Sequence, residues 1–259
     1  MVQNICKNPA LSAKNLAAVS EVDVSPATIR RILKQNEFRR VRVCPMESVS
    51  AKNKKERLEF ARKYVTWSFG QWEKVIFSDE KKWNLRRNDG RINLWVEEGT
   101  QKTREIVSFS RKSLMTWAAI TAEKALVIVR IDKKINGPTY CDMLDTCFLP
   151  VAALENLDDF TFQHDNAPPH RACVTAEFLK SNKISVLKWP AQLPDLNPIE
   201  NIWGIMSKEV YKEGKSYLNC DDLWEAVQTT FNNLDPEVLK KVYESMPSRL
   251  IDKILFLSN

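Results

Sequence analysis

Apolar residues near the start of the chain recur at helical spacing. The pattern over residues 11–36 predicts two short helices joined by a tight turn. In the second helix, Ile29, Ile32 and Leu33 fall on one face. That helix is expected to begin at Ser25-Pro26, because serine is a favourable N-cap and proline suits the first helical position.

From Lys74 onward the apolar runs become short, β-branched and aromatic. The strand candidates are VIF before Ser78-Asp79, then INLWV, LMTWAAI, LVIVRI, FTFQHD and ISVLKW. Helical patterns cover residues 140–154, the stretch ACVTAEFLKSN and most of the chain after Pro198. Strands that cluster first and then alternate with helices predict an α/β fold, with a mixed sheet covered by helices.

The chain therefore divides into three predicted parts. Residues 1–50 form a small helical unit, residues 51–73 form a helical connector, and residues 74–259 form the α/β domain. The connector contains a charged helix through KNKKERLEFARKYV, and no internal repeat is found.

Composition excludes several classes of protein. The 259 residues are 44% hydrophobic and 28% charged, which is typical of a soluble globular protein. No apolar run approaches the ~18–20 residues of a membrane span, and the N-terminal residues lack the apolar core of a signal peptide. Six cysteines without a C-x-x-C pair and only two histidines disfavour a zinc finger or a disulfide scaffold. A reduced, intracellular protein is expected.

Positive charge is concentrated at the start of the chain. Residues 1–74 carry a net charge of +8, whereas the other residues carry −2. A basic segment on a near-neutral body is typical of a nucleic-acid-binding arm, although a solvated basic linker would look the same.

The polar face of the second predicted helix adds to this pattern. Its arrangement is that of a helix-turn-helix, in which the second helix places polar and basic side chains in the DNA major groove, although any small helical hairpin could share it. A basic tail follows the helix and suits phosphate contacts. The candidate DNA contacts are Ser25, Thr28, Arg30, Arg31, Lys34, Arg39, Arg40 and Arg42.

Three carboxylates stand at the ends of predicted elements. Asp79 and Asp165 each end an apolar strand, and sites in α/β sheets collect where strands end. Glu200 falls in the first turn of a helix that Asn197 caps and Pro198 starts. Three such acids offer the hard oxygen ligands that a pair of Mg²⁺ ions needs for phosphodiester chemistry.

Structural roles for these acids remain open at this stage. Asn197 and Glu200 have nearly the spacing of a capping box, and an aspartate after a strand is commonly a turn residue. Asp195 is a rival acid five positions before Glu200. His164 and His170 flank Asp165, and we assign them local hydrogen bonding rather than a place among the three acids.

Four strings resemble the sequence blocks of the Tc/mariner superfamily of cut-and-paste DNA transposases, on its Tc-type branch. They are VIFSDEKKWNL, MTWAAIT, FQHDNAPPHRA and WPAQLPDLNPIENIWG, and the resemblance runs from about residue 11 to the C-terminus. It implies that Asp79, Asp165 and Glu200 are the catalytic, metal-binding acids. The 34 residues between Asp165 and Glu200 match the Tc-type spacing.

The resemblance also implies how such a protein works. The expected catalytic domain is RNase H-like and holds two Mg²⁺ or Mn²⁺ ions. The expected reaction is metal-dependent hydrolysis at terminal inverted repeats, followed by strand transfer into TA target DNA without a covalent enzyme intermediate. A homodimer on double-stranded DNA and a nuclear location are expected.

One departure from the family leaves an alternative. Tc-type transposases usually carry two helix-turn-helix units, and this chain begins just before what resembles the second, as an N-terminally shortened copy would. The alternative function is that of an inactive or truncated element remnant that only binds DNA.

Overall fold

The computed structural model describes residues 13, 16, 24–36, 38, 50–85, 113–191 and 193–257. The chain separates into two compact units, Met1–Ser48 and Val49–Asn259. The predicted strand INLWV and the candidate DNA contacts Arg39, Arg40 and Arg42 lie outside the described residues.

The first unit contains helix α1, Pro26–Gln35, which begins where the sequence predicts. The Ser25 hydroxyl oxygen accepts a hydrogen bond from the Thr28 backbone N–H at 3.2 Å, and Pro26 occupies the first turn. Ile29 is fully buried, as its place on the apolar face requires.

The second unit is built around a mixed β-sheet. Its strands, among the described residues, are β1 Val75–Asn84, β2 Ser113–Ile120, β3 Ala125–Ile131, β4 Thr161–Gln163 and β5 Ser185–Val186. Their order is β3-β2-β1-β4-β5. The first three strands pair antiparallel, whereas β4 pairs parallel to both β1 and β5.

Helices surround this sheet. The α-helices of the second unit are α2 Ala51–Tyr64, α3 Phe69–Trp72, α4 Gly137–Met143, α5 Leu149–Leu154, α6 Cys173–Ser181, α7 Pro198–Val210, α8 Cys220–Asn232, α9 Pro236–Glu244 and α10 Met246–Leu257. A π-helical turn at Leu144–Phe148 joins α4 to α5, and short 3₁₀ turns cover Pro194–Leu196 and Lys212–Gly214. No helix in the described part of the chain is long and apolar enough to cross a membrane.

The alternation of side chains along β1 divides the core into two layers. Val75 and Phe77 pack on one face of the sheet with apolar residues of α2 and α7 to α10. Ile76 packs on the other face with residues of α4, α5 and α6. Helices therefore cover both faces, which confirms the predicted mixed sheet flanked by helices.

Strand β5 is shorter than the sequence predicts. ISVLKW was expected to form a strand over residues 184–189, but only Ser185–Val186 pairs as a strand. Leu187 N–H still donates to the Phe162 carbonyl at 2.8 Å, and the chain then turns away from the edge of the sheet. Pro190 lacks a backbone donor and cannot continue the ladder. Trp189 is thereby free to pack against the helices.

A single tyrosine ties α9 to the centre of the sheet. The buried hydroxyl of Tyr243 lies 2.9 Å from the carbonyl oxygen of Val75 and 2.8 Å from that of Ile120.

We expect Tyr243→Phe to lower the free energy of unfolding by about 1–3 kcal/mol, because buried carbonyls lose their donor. Urea denaturation measures this change, and an unchanged unfolding free energy would contradict it.

Candidate active site

The register of β1 and β4 brings two of the three carboxylates together. The two strands run parallel, and their last paired residues are Phe77 and Gln163. Asp79 and Asp165 each follow two positions later, so they lie beside each other just beyond this pairing. The expectation that Asp79 ends its strand is wrong, because β1 runs on to Asn84 and remains paired with β2. Asp79 lies on the face of β1 that packs against α7, because it shares the side-chain direction of Phe77.

Glu200 reaches the same place from the start of α7. Asn197 caps this helix by accepting from Ile199 N–H at 3.3 Å, and its amide group donates to the Ser78 carbonyl at 3.2 Å. The second bond attaches the helix start to the residue before Asp79. Glu200 therefore sits in the first helical turn, beside the middle of β1.

The capping-box alternative for Glu200 is not what the structure forms. A capping box needs the Asn197 N–H to donate to the Glu200 side chain. That N–H donates instead to the Pro194 carbonyl at 2.9 Å. The Glu200 carboxylate lines a cleft of about 380 Å³.

Asp79, Asp165 and Glu200 all line this cleft. Its other walls come from the loops that follow β4 and β5, including Asn166 and Trp189. Asn166 donates to the Trp189 carbonyl at 2.6 Å and so joins the two loops. Among the described residues, no three acidic, histidine or cysteine side chains converge tightly enough to hold one ion by themselves. The carboxylates surround a space that is open to further ligands.

The environment of Asp79 opposes its ionisation. Burial, and then the negative charges of Glu200 and Glu80, raise the pKa of Asp79 to about 7. A hydrogen bond from Trp203 Nε1 to Asp79 Oδ2, at 3.0 Å, acts in the opposite direction and orients the carboxylate. Burial also raises the pKa of Glu200, and the positive charge of Lys81 partly offsets that effect.

Asp165 is held in its ionised form. Burial opposes ionisation, but hydrogen bonds from His170 and from the Ala167 N–H outweigh it and lower the pKa of Asp165. Both donors reach the same oxygen: His170 Nδ1 lies 2.7 Å and Ala167 N lies 2.8 Å from Asp165 Oδ1. The pKa values of Asp79 and Asp165 are thus shifted in opposite directions although the two acids occupy one cleft.

His170 connects Asp165 to a second carboxylate on β1. Its Nε2 lies 3.2 Å from Glu80 Oε1, and its side chain is only 3% exposed. Burial would lower the pKa of His170, but the hydrogen bonds to Asp165 and Glu80 outweigh it and raise that pKa to about 9. The structure thus gives His170 the local hydrogen-bonding role expected from the sequence.

The rings of His164 and Tyr140 pack against His170. The ring of His164 stacks on His170 at 4.9 Å, and the Tyr140 hydroxyl lies 3.2 Å from His164 Nδ1. Burial and the positive charge of His170 lower the pKa of His164 to about 4. No signal in the sequence marks Glu80 as functional. It directly follows Asp79 in β1, so side-chain alternation places it on the opposite face of the strand.

The rival acid Asp195 does not line the cleft. Its carboxylate pairs with Arg57 Nη2 at 2.9 Å and with Lys253. It therefore belongs to the contacts that hold the loop before α7.

The candidate DNA contacts within the described residues lie on and just before α1. Arg30, Arg31 and Lys34 are exposed, as the polar face predicts. Ser25 and Thr28 bond to each other, with 3.1 Å between their hydroxyl oxygens, so both also serve the helix start.

The raised pKa of Asp79 predicts a pH-dependent gain in stability when its charge is removed. The folded protein holds this proton more tightly than the unfolded chain, so the wild type loses stability as the pH rises from about 4 to about 7. In EDTA we expect Asp79→Asn to raise the melting temperature at pH 8 and to have little effect at pH 4. Thermal denaturation across this range measures the difference.

Glu209→Gln is the matched control, because Glu209 is an exposed carboxylate on α7. A difference between wild type and Asp79→Asn that stays the same at both pH values would contradict the burial argument.

Comparison with known proteins places this site in a family. A model described as "DDE superfamily endonuclease" matches residues 74–223, and a helix-turn-helix model described as "Transposase" matches residues 1–66. The Tc3 transposase of Caenorhabditis elegans is 34% identical over 97% of this chain and 75% of its own length. The Tcb2 transposase of Caenorhabditis briggsae is 29% identical over 89% of this chain and 85% of its own length.

Solved structures agree on the fold. The Mos1 transposase in its paired-end complex superposes with a TM-score of 0.76 at 19% identity, covering 98% of this chain and 76% of that one. The Mos1 strand transfer complex superposes with a TM-score of 0.74, covering 99% and 76%. The mixed sheet with helices on both faces is therefore the RNase H-like fold that the resemblance implied. The chain belongs to the Tc/mariner superfamily of cut-and-paste DNA transposases and carries its DDE endonuclease domain.

Proposed function

We propose that this chain itself cuts DNA at the ends of a transposable element and joins the freed ends to target DNA, using the cleft lined by Asp79, Asp165 and Glu200. One observation supports this most strongly. Three carboxylates from β1, the end of β4 and the start of α7, far apart in sequence, meet in one cleft of about 380 Å³. No observation in the described structure favours the alternative of an inactive DNA-binding remnant.

The cleft fits divalent metal ions of the Mg²⁺ type. Its donors are carboxylate oxygens, and Mg²⁺ is commonly bound by one or two carboxylates together with substrate phosphates and water. Coordination shared with phosphates and water suits these three acids, because they line a cleft and do not enclose a single ion. Burial, and then repulsion by Glu200 and Glu80, raise the pKa of Asp79, and a bound cation would offset both effects.

We infer that Asp79, Asp165 and Glu200 hold two Mg²⁺ or Mn²⁺ ions, with Asp79 contacting both. Structures of Mos1 transposase paired-end complexes contain Mn and Mg. When bound, such ions activate the attacking oxygen and stabilise the leaving oxygen of a phosphodiester.

The protein's own contribution is orientation. Trp203 holds one oxygen of Asp79, and His170 together with Ala167 N–H holds one oxygen of Asp165. Asn197 holds the helix that carries Glu200. Hydrogen bonds of this kind around ligating carboxylates commonly support metal affinity and activity by 10–100-fold.

We propose that the substrate is double-stranded DNA with terminal inverted repeats and that insertion occurs at TA dinucleotides. The basic N-terminal segment, the helix-turn-helix family match and the exposed cations of α1 support DNA binding. The Mos1 structures include a complex with a transposon end. By the same family argument we propose a homodimer on DNA and a nuclear location.

The first test measures catalysis. In Mg²⁺ or Mn²⁺ we expect purified protein to nick supercoiled plasmid and to cut a duplex that carries the element's end. Asp79→Asn, Asp165→Asn and Glu200→Gln should each reduce cutting to background, because each removes a metal ligand. All three variants should keep DNA binding.

Glu209→Gln, which alters an exposed carboxylate on the helix of Glu200, is the control and should cut like the wild type. Wild-type protein that binds DNA but never cuts would support the binding-remnant alternative. Equal cutting by wild type and Glu200→Gln would remove Glu200 from the site.

The second test measures DNA contact by α1. Neutralising Arg30, Arg31 or Lys34 should weaken DNA binding and reduce the slope of log affinity against log salt by about one for each lost phosphate contact. Fluorescence anisotropy over a salt series measures this slope. Lys240→Gln, at an exposed position of α9, is the control. An unchanged slope in all three α1 variants would contradict the assignment.

A further inference from the structure

We propose that Arg57 is a positioning residue for Glu200, acting through Asp195. This inference rests on the proposed function, because it assumes that Glu200 is a metal ligand. The relevant part of the chain is the segment of residues 193–201, which contains a short 3₁₀ turn, the cap residue Asn197 and the first turn of α7. We call it the Glu200 segment.

Three cationic side chains from two helices hold the Glu200 segment. Arg57 of α2 reaches Asp195 Oδ1 with its Nη2 at 2.9 Å, and Lys253 of α10 pairs with Asp195 Oδ2. Arg249 of α10 donates to the Asp195 carbonyl at 3.5 Å and to Asn201 Oδ1 at 2.7 Å. The contacts on Asp195 and Asn201 fall on either side of the residue that caps α7.

Arg57 is buried, whereas its partner Asp195 is partly exposed. Its side chain is 6% exposed, whereas that of Asp195 is 39% exposed. A buried guanidinium loses hydration, and an apolar residue on this face of α2 would avoid that cost. Within the described part of the chain Arg57 Nε has no hydrogen-bond partner, and the acid that pairs with the guanidinium is Asp195.

A second residue on the same face of α2 contacts Trp189, which lines the cleft. Phe60, one turn after Arg57, meets Trp189 edge-to-face with 5.0 Å between ring centroids. Trp189 lines the cleft and accepts, through its carbonyl, the hydrogen bond from Asn166. Helix α2 therefore contacts the loop after β5 through Phe60 and the Glu200 segment through Arg57.

Attachments to three elements set the position of Glu200. The amide of Asn197 ties the helix start to β1, the Arg57–Asp195 pair ties the preceding turn to α2, and Lys253 and Arg249 tie that turn to α10. Without Arg57 the turn loses its link to α2 and is held from α10 alone, so it can shift relative to β1. Glu200 would then spend less time at the distance from Asp79 and Asp165 that shared metal ions require.

The test uses Arg57→Met in the full chain. Methionine keeps the apolar stem and removes the charge, while Asp195 retains Lys253 as a partner. Three quantities are measured: hydrogen exchange of the Glu200 segment in EDTA, Mn²⁺ affinity by calorimetry, and kcat and KM for DNA cutting. We expect faster exchange confined to the Glu200 segment, Mn²⁺ affinity about tenfold weaker, lower kcat and unchanged KM for DNA.

Three further variants extend this test. Arg57→Lys keeps a cation on α2 and should recover part of the Mn²⁺ affinity. Arg62→Met removes an exposed arginine from the same helix and should behave like the wild type. If Arg57→Met does not fold, Lys253→Met approaches the same carboxylate from α10 and should shift exchange and Mn²⁺ affinity in the same direction.

Wild-type exchange of the Glu200 segment and wild-type Mn²⁺ affinity in the folded Arg57→Met variant would overturn the proposal, even if its melting temperature fell. Failure of the proposed function gives a different result. In that case wild-type protein would bind no Mn²⁺ in a Glu200-dependent way, while exchange in EDTA would still report whether Arg57 holds the segment.

Discussion

The parallel pairing of β1 with β4 is the constraint on which the catalytic cleft depends. Because Phe77 pairs with Gln163, Asp79 and Asp165 lie beside each other just beyond the β1–β4 pairing, while β1 continues along β2. The alternation of side chains then turns Asp79 toward α7, where the first helical turn carries Glu200. A shift of one residue in this register would turn Asp79 to the opposite face, away from Glu200.

Collecting like charges in one cleft has an electrostatic cost, and the fold distributes it unevenly. Asp165 remains ionised because His170 and a backbone N–H donate to it. Asp79 is buried and lies near Glu200 and Glu80, and among the described residues it receives a side-chain hydrogen bond from Trp203 alone, so its pKa is raised. A nearby cation would stabilise the ionised form of such a carboxylate, which is consistent with a site that binds metal ions together with substrate.

Sequence reasoning predicted the parts of this site that depend on local chemistry. The start of α1 at Ser25-Pro26 and the start of α7 at Asn197-Pro198 follow from capping preferences, and both are confirmed. The strand before Asp165 and the first part of β1 follow from short apolar runs, but β1 continues past Asp79 to Asn84, which the sequence did not predict. The role of Glu200 stayed open, because a capping box and a cleft-lining carboxylate have the same spacing from Asn197. The two roles are distinguished by the partner of the Asn197 N–H, which is the Pro194 carbonyl.

The sequence by itself predicted the fold class, because periodicity and capping are properties of neighbouring residues. Its four motif strings, through their resemblance to known transposases, supplied the family and the three acids expected to carry catalysis. The tertiary structure alone decided which side chains support those acids. Arg57 meets Asp195 across 138 positions, and His170 meets Glu80 across 90. Pairs so far apart are selected by how helices pack on the sheet, and no local pattern encodes that packing.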